Sequence, residues 1–150
     1  MALPTKLTLE IVTPDRAIVR EEVDEVELPG YEGYFGVLPG HTPLLAMLKV
    51  GELWYRRGSE KHFLAVAGGF VEVLPDRVTV LAQIAERAQD IDVARAEAAR
   101  QRAEERLARP AGDIDLERAR IAHLKSLVRL QVAVYTRTAT GIAPKGREGR

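Results

Sequence analysis

Apolar residues in the first 88 positions recur with period two. Leu7, Leu9 and Ile11 alternate with polar neighbours, and Val26 and Leu28 alternate with Glu25 and Glu27. Alternation of that kind places one set of side chains on a single face of a strand. Further short apolar runs follow at 35–38, 44–48, 53–55, 63–66, 70–74 and 78–81, separated by turn pairs such as Pro39-Gly40, Arg57-Gly58 and Pro75-Asp76. Many short strands with regular turn signals predict a sandwich or barrel.

From Asp90 the texture changes to Ala, Arg, Glu and Leu, with no glycine or proline until Pro110-Ala111-Gly112. These are strong helix formers, and they predict two helices joined by a tight turn, over 91–108 and 114–135. The first carries an alanine row, Ala96, Ala99 and Ala103 ending on Leu107, which lets a partner helix approach closely. The second carries Ile121, Leu124 and Val128 on one side and Leu127, Leu130 and Val134 on an adjacent side. That face is too broad for one narrow partner, so the helix should lean on the β-domain or on another protein. The tail from Thr136, rich in Gly and Lys/Arg without an apolar run, reads as disordered. The expected fold is α+β in two segregated parts, a β-domain over 1–88 and an antiparallel helical hairpin over 89–135, followed by the tail 136–150.

Composition narrows the function. The 150 residues fit one medium domain or two small ones, and 22 basic side chains balance 22 acidic ones. No global field draws the chain to nucleic acid or an anionic membrane. By segment, residues 1–88 carry nine basic and thirteen acidic groups, 89–135 nine and eight, and 136–150 four and one. Without cysteine there is no disulfide, thiolate metal site or cysteine nucleophile. The apolar runs fall short of the roughly 18 to 20 residues of a membrane span, and Met-Ala-Leu-Pro-Thr-Lys lacks signal-peptide character, so a soluble chain is expected.

Catalytic and metal chemistry find little support. His41, His62 and His123 stand in unrelated contexts, without the spacing of a metal site. There is no G-x-S-x-G elbow and no G-x-x-x-x-G-K-[ST] loop, so neither catalytic residues nor metal ligands are expected. Gly30, Gly33, Gly36 and Gly40 are followed by strands rather than a helix, and turn geometry explains them better than a nucleotide fingerprint. Asp90-Ile91-Asp92-Val93-Ala94-Arg95-Ala96 is echoed 23 residues later by Asp113-Ile114-Asp115-Leu116-Glu117-Arg118-Ala119. Each leading Asp is expected to be an N-cap, with the second Asp in the first turn. Arg95 and Arg102 lie seven apart on one helix face, and Lys125 and Arg129 four apart on the other helix. Converging faces would concentrate cations for a polyphosphate, with Asp92 free to accept from a base or sugar; the plainer alternative is a solvated charged face.

The run Gly33-Tyr34-Phe35-Gly36-Val37-Leu38-Pro39-Gly40-His41-Thr42-Pro43-Leu44-Leu45 resembles the G-x-F-G-V-L-P-G-H-T-P-L-L signature of the ε subunits of bacterial F-type ATP synthases. Ala65-Val66-Ala67-Gly68-Gly69-Phe70-Val71-Glu72-Val73 is similar to their second hallmark. The opening strand, with Thr13-Pro14 after it, and the Ala/Arg-rich hairpin agree, so the likeness covers all but the tail. It implies an N-terminal flattened β-sandwich followed by a C-terminal antiparallel α-helical hairpin. It also implies a non-catalytic rotor part at the cytoplasmic face of the bacterial plasma membrane, associated with the membrane only through its complex. Its implied partners are the γ subunit, the ring of c subunits and, with the hairpin extended, the catalytic αβ hexamer, whose ATP hydrolysis it impedes.

Some members of that family bind ATP on the compact hairpin through an I/L-D-x-x-R-A motif, which Ile91-Asp92-Val93-Ala94-Arg95-Ala96 matches. The resemblance places Glu86, Ile91, Asp92, Arg95, Ala96, Arg102 and Arg129 at nucleotide-contacting positions, and Lys125 where an arginine is usual. Lysine keeps the charge but loses the bidentate fork. The resemblance implies ATP as a regulatory ligand, with no required cofactor. Two alternatives stand: the same stalk subunit without nucleotide sensing, and a stand-alone β-sandwich binding module that dimerises through its helices.

Overall fold

The computed structural model describes residues 2–138. Eight strands come first: β1 (Leu7–Val12), β2 (Ala17–Val23), β3 (Glu25–Gly30), β4 (Gly33–Val37), β5 (Leu44–Leu48), β6 (Gly51–Arg57), β7 (Glu60–Leu74) and β8 (Arg77–Arg87). A short 3-10 turn, Ala88–Asp90, leads into α1 (Val93–Ala108) and α2 (Asp113–Thr138). The chain is thus a β-sandwich followed by a helical hairpin, as expected.

The strands are ordered β2-β1-β8-β7-β5-β3-β4, with β6 joining β3 and β7. Every pairing is antiparallel except that of β1 with β8. The runs expected as separate strands at 63–66 and 70–74 are one strand, because Gly68 and Gly69 bend it at positive φ instead of ending it. A Cβ on Gly69 would sit 2.0 Å from the Leu81 carbonyl oxygen, so only glycine admits this close crossing. The first half of β7 pairs with β6 and the second half with β5, which carries the ribbon through both layers.

β2 was absent from the expected strands, and its burial shows why. Val19 and Val23 are buried, but the position between them on the same face is Glu21, whose carboxylate lies 3.4 Å from Arg57. The charge interrupts the apolar alternation that would have betrayed the strand. Between the layers lies a core of Leu7, Leu9, Ile11, Val26, Leu28, Leu53, Val71, Val73, Val78 and Val80, all without exposure, together with Tyr55.

The hairpin closes along small residues. Ala96 and Ala103 of α1 and Ala119, Ser126 and Ala133 of α2 are buried, each set spaced by seven. Ser126 satisfies its hydroxyl by donating to the His123 carbonyl at 2.6 Å. Of the broad α2 face expected to lean on the β-domain or on another protein, Val128 is buried within this chain, while Ile121, Leu124, Leu127 and Val134 are exposed. α2 meets the sandwich late, where Val128, Val132 and Ala133 close on Ala65, Ala88 and Ile91 beside Val50 and Phe63. The ring of Tyr135 stacks on Phe63 with centroids 3.6 Å apart and 5° between planes. Residues 136–138, expected in the tail, continue α2; the rest of the expected tail lies outside the described residues.

Candidate functional site

Where β8 gives way to α1, the chain turns through Ala88–Asp90 and Ile91 before the helix begins. Asp92, not Asp90, is the N-cap: its Oδ1 accepts from the Arg95 backbone N–H at 3.0 Å. At the echo, Gly112 occupies the corresponding place, since its carbonyl accepts from Leu116 N–H at 2.9 Å, while Asp113 and Asp115 sit in the first turn. The two copies therefore cap differently. Their isoleucines also part company: Ile91 is 8% exposed in the junction cluster, whereas Ile114 is 72% exposed. Only the first copy buries its isoleucine against the sandwich; the second enters the fold through Ala119, buried in the hairpin seam.

Around that first copy opens a cleft of about 340 Å³ lined by Glu86, Asp90, Asp92, Arg95, Ala96, Ala99, Arg102 and Arg129. Three elements contribute. Glu86 comes from the end of β8, the arginines at 95 and 102 from one face of α1, and Arg129 from α2. The buried Ala96 and the small Ala99 keep the α1 wall low. The Arg129 Nε donates to Glu86 Oε1 at 2.9 Å, and its Nη2 lies 2.7 Å from the same oxygen. Arg95 and Arg102 have no carboxylate within ion-pair distance among the described residues. Their neighbour Arg100 differs, held on the other side of α1 by Glu97 and, at 2.6 Å, by Glu104. Those carboxylates hold the Arg100 guanidinium above its ordinary range, and Arg100 in turn holds Glu97 below the usual carboxylate value.

The structure thus brings together six of the eight positions singled out from sequence: Glu86, Asp92, Arg95, Ala96, Arg102 and Arg129. Ile91 lies beneath, in the apolar junction. Lys125 lines an adjoining crevice of about 10 Å³ under α2, with Val50, Ala67, Ile84 and Arg129, the last of which also lines the cleft. Asp90 and Ala99 line the cleft without having been marked as site residues. Their positions beside Asp92 and between Ala96 and Arg102 were the available signal. Two guanidinium groups without an ion pair, lining a cleft built from three elements, suit a polyanion, and the volume is within the range of small-molecule sites. Among the described residues no group of three or more His, Asp or Glu side chains is placed to hold a metal. His62 stacks on Tyr55 at 4.9 Å, His123 lies 3.4 Å from Glu104, and His41 Nδ1 lies 2.6 Å from the Thr42 carbonyl.

A second surface went unnoticed in the sequence. Met47 of β5, Phe70 of β7, Leu81 of β8 and Val12 of β1 are direct register partners, forming one apolar row across four strands. Met47, Phe70 and Leu81 are 54%, 50% and 56% exposed. Beside them Tyr31, Tyr34, Phe35, Leu44 and Leu45 line an apolar cleft of about 550 Å³. Exposed apolar area of that continuity is a candidate contact surface. Among the described residues no helix is long and apolar enough to cross a membrane.

Comparison with known proteins gives consistent matches. Residues 6–88 match the family model for the ATP synthase delta/epsilon chain β-sandwich domain, and residues 89–133 the model for its long α-helix domain. The chain is 53% identical over 131 residues to the ATP synthase epsilon chain of Syntrophobacter fumaroxidans, covering 87% of this chain and 98% of that one. It is 50% identical over 126 residues to the epsilon chain of Nitratidesulfovibrio vulgaris, covering 84% and 94%. Among solved structures, a chain of the Euglena gracilis mitochondrial ATP synthase (OSCP/F1/c-ring) superposes with a TM-score of 0.77 at 24% identity, covering 89% of this chain and 84% of that one. At that identity the likeness speaks for the fold.

Proposed function

This chain belongs to the delta/epsilon chain family of ATP synthases, as an epsilon chain and a non-catalytic subunit, and from that premise we propose how its two parts divide the work. The sandwich is the fixed attachment to the rotor. Its row from Val12 to Met47 and the neighbouring aromatic cleft form the seat for the γ subunit, and the sandwich rests on the c-ring at the cytoplasmic face of the bacterial membrane. The stalk and c-ring setting is supported by solved structures of like fold, one from an assembly of F1 with the c-ring and another, at a TM-score of 0.56, from a central stalk with its c-ring. The hairpin is the regulatory arm. Docked, it is compact and permissive; extended along γ, it reaches the αβ hexamer and impedes ATP hydrolysis.

ATP is the ligand that favours the docked state. The carrying observation is that the cleft draws on β8, α1 and α2 together, so it exists only while the hairpin lies on the sandwich. A ligand held by all three binds the docked state in preference and shifts the population toward it. Arg95 and Arg102 supply the unpaired charge for the phosphates. Calorimetric titration of the full chain with ATP tests this. Arg95→Ala and Arg102→Ala should each weaken binding at least about tenfold, since charge-assisted hydrogen bonds are worth roughly 1.5–3 kcal/mol. Arg106→Ala, in the last turn of α1 and outside the cleft, should not. No binding at millimolar ATP, or no loss in either variant, removes nucleotide sensing and leaves the same stalk subunit without it.

A further inference from the structure

The cleft already holds an anion of its own. Glu86 Oε1 accepts a hydrogen bond from Arg129 Nε at 2.9 Å, with Nη2 within ion-pair distance at 2.7 Å, while Arg95 and Arg102 line the same cleft with no carboxylate within ion-pair distance among the described residues. Glu86 occupies the Nε–Nη2 edge of Arg129, so a phosphate that takes the arginine through that edge must displace the carboxylate. The pair also joins α2 to β8 across 43 residues of sequence, beside the small apolar junction of Val128, Val132 and Ala133.

We infer that Glu86 is a built-in competitor for the anion site: it holds Arg129, and with it the docked hairpin, until an incoming polyphosphate exchanges for it. The inference rests on the nucleotide-sensing reading above. It has two consequences. Ligand affinity is lowered by the exchange, because the interaction of Glu86 with Arg129 is given up when the phosphates take the arginine. The empty cleft stays partly closed, so loss of ligand loosens the hairpin by degrees. The other acids of the cleft act differently. Among the described residues Asp90 has no ion pair with an arginine, and Asp92 gives one oxygen to the α1 cap, so neither blocks Arg129.

Calorimetric titration of the full chain with inorganic tripolyphosphate and with ATP, at fixed ionic strength, tests the exchange. Tripolyphosphate lacks a base and sugar, so it reports on the arginines alone. Glu86→Gln should bind it roughly tenfold tighter than the native chain, and Glu86→Ala should change in the same direction, matching one charge-assisted bond no longer given up. Asp90→Asn, which removes the same charge from the same cleft, should gain no more than about threefold through screened repulsion. Without ligand, Glu86→Gln should also speed hydrogen exchange of the last turns of α2, and tripolyphosphate should restore it. If the native chain binds and Glu86→Gln binds no tighter than Asp90→Asn, the competitor role is wrong while sensing survives. If no variant binds either ligand at millimolar concentration, the sensing reading falls and the exchange falls with it.

Discussion

The sandwich and the hairpin are held by different chemistry. The sandwich encloses a cluster of nineteen buried residues, mainly Val, Leu and Ile. The junction of hairpin and sandwich buries six residues, three of them alanine, and the hairpin's own seam is alanine and serine. Burial contributes about 25 cal/mol per Å² of apolar surface, so the large sandwich core stabilises one part far more than the six-residue junction and the stack of Tyr135 on Phe63 hold the other. Small residues give close approach with little area to lose on separation. Such a hairpin can leave its seat without disturbing the base, which is the property the proposed arm requires.

Cutting into the sandwich core should have the largest effect. Leu9→Ala, at a fully buried position, should lower the unfolding free energy by about 2 to 5 kcal/mol, read from urea denaturation followed at strand and helix probes together. A smaller loss would mean that the core is looser than its burial implies. In the seam the sensitive direction is the opposite one. Ala103→Leu should cost about 1 to 3 kcal/mol by forcing the helices apart, with faster exchange across the hairpin and an unchanged sandwich. Val132→Ala, fully buried at the docking contact, should cost about 1 to 2 kcal/mol and show itself as faster α2 exchange alone. If either hairpin variant shifts the sandwich equally, the two parts are one cooperative unit.

The smallest expected effect lies on the sandwich surface. A hydrogen bond from Lys6, then the Gly58 N–H at 2.7 Å, holds the Asp24 carboxyl below its ordinary value of 3.8. The unfolded chain therefore takes up this proton at higher pH than the folded one. Stability from Asp24 is fully present above the unfolded value and is lost as the pH falls through the lower, folded one. Asp24→Asn should weaken the chain slightly at neutral pH, and the difference from native should vanish in acid. A difference that persists below the carboxylate range would show that charge is not its source.

The same contrast explains what could be read from sequence. Alternation at Leu7, Leu9 and Ile11 was visible because each side chain acts alone on a shared face. β2 was hidden because Glu21 stands on the inner face and is balanced by Arg57, a partner distant in sequence. The bend in β7 looked like a boundary because two glycines signal both a break and a sharp crossing. On α2 the apolar stripe suggested a partner at Ile121 and Leu124, but the residues buried toward α1 are Ala119 and Ser126, and the buried apolar contact with the sandwich begins at Val128. Burial of a serine follows from helix spacing at close range and leaves no apolar signal. At the cleft, the placement of Glu86, Arg95, Arg102 and Arg129 was legible through resemblance. The pairing of Glu86 with Arg129 was not, because it depends on where α2 lands.

The most direct test of this account is native-state hydrogen exchange of the full chain with and without saturating ATP. The account predicts that α1 and α2 open at a lower free energy than β1, β7 and β8 in the free chain, and that ATP raises protection across both helices while leaving the sandwich unchanged. Equal opening energies in hairpin and sandwich, or bound ATP that leaves helix protection as it was, would contradict it.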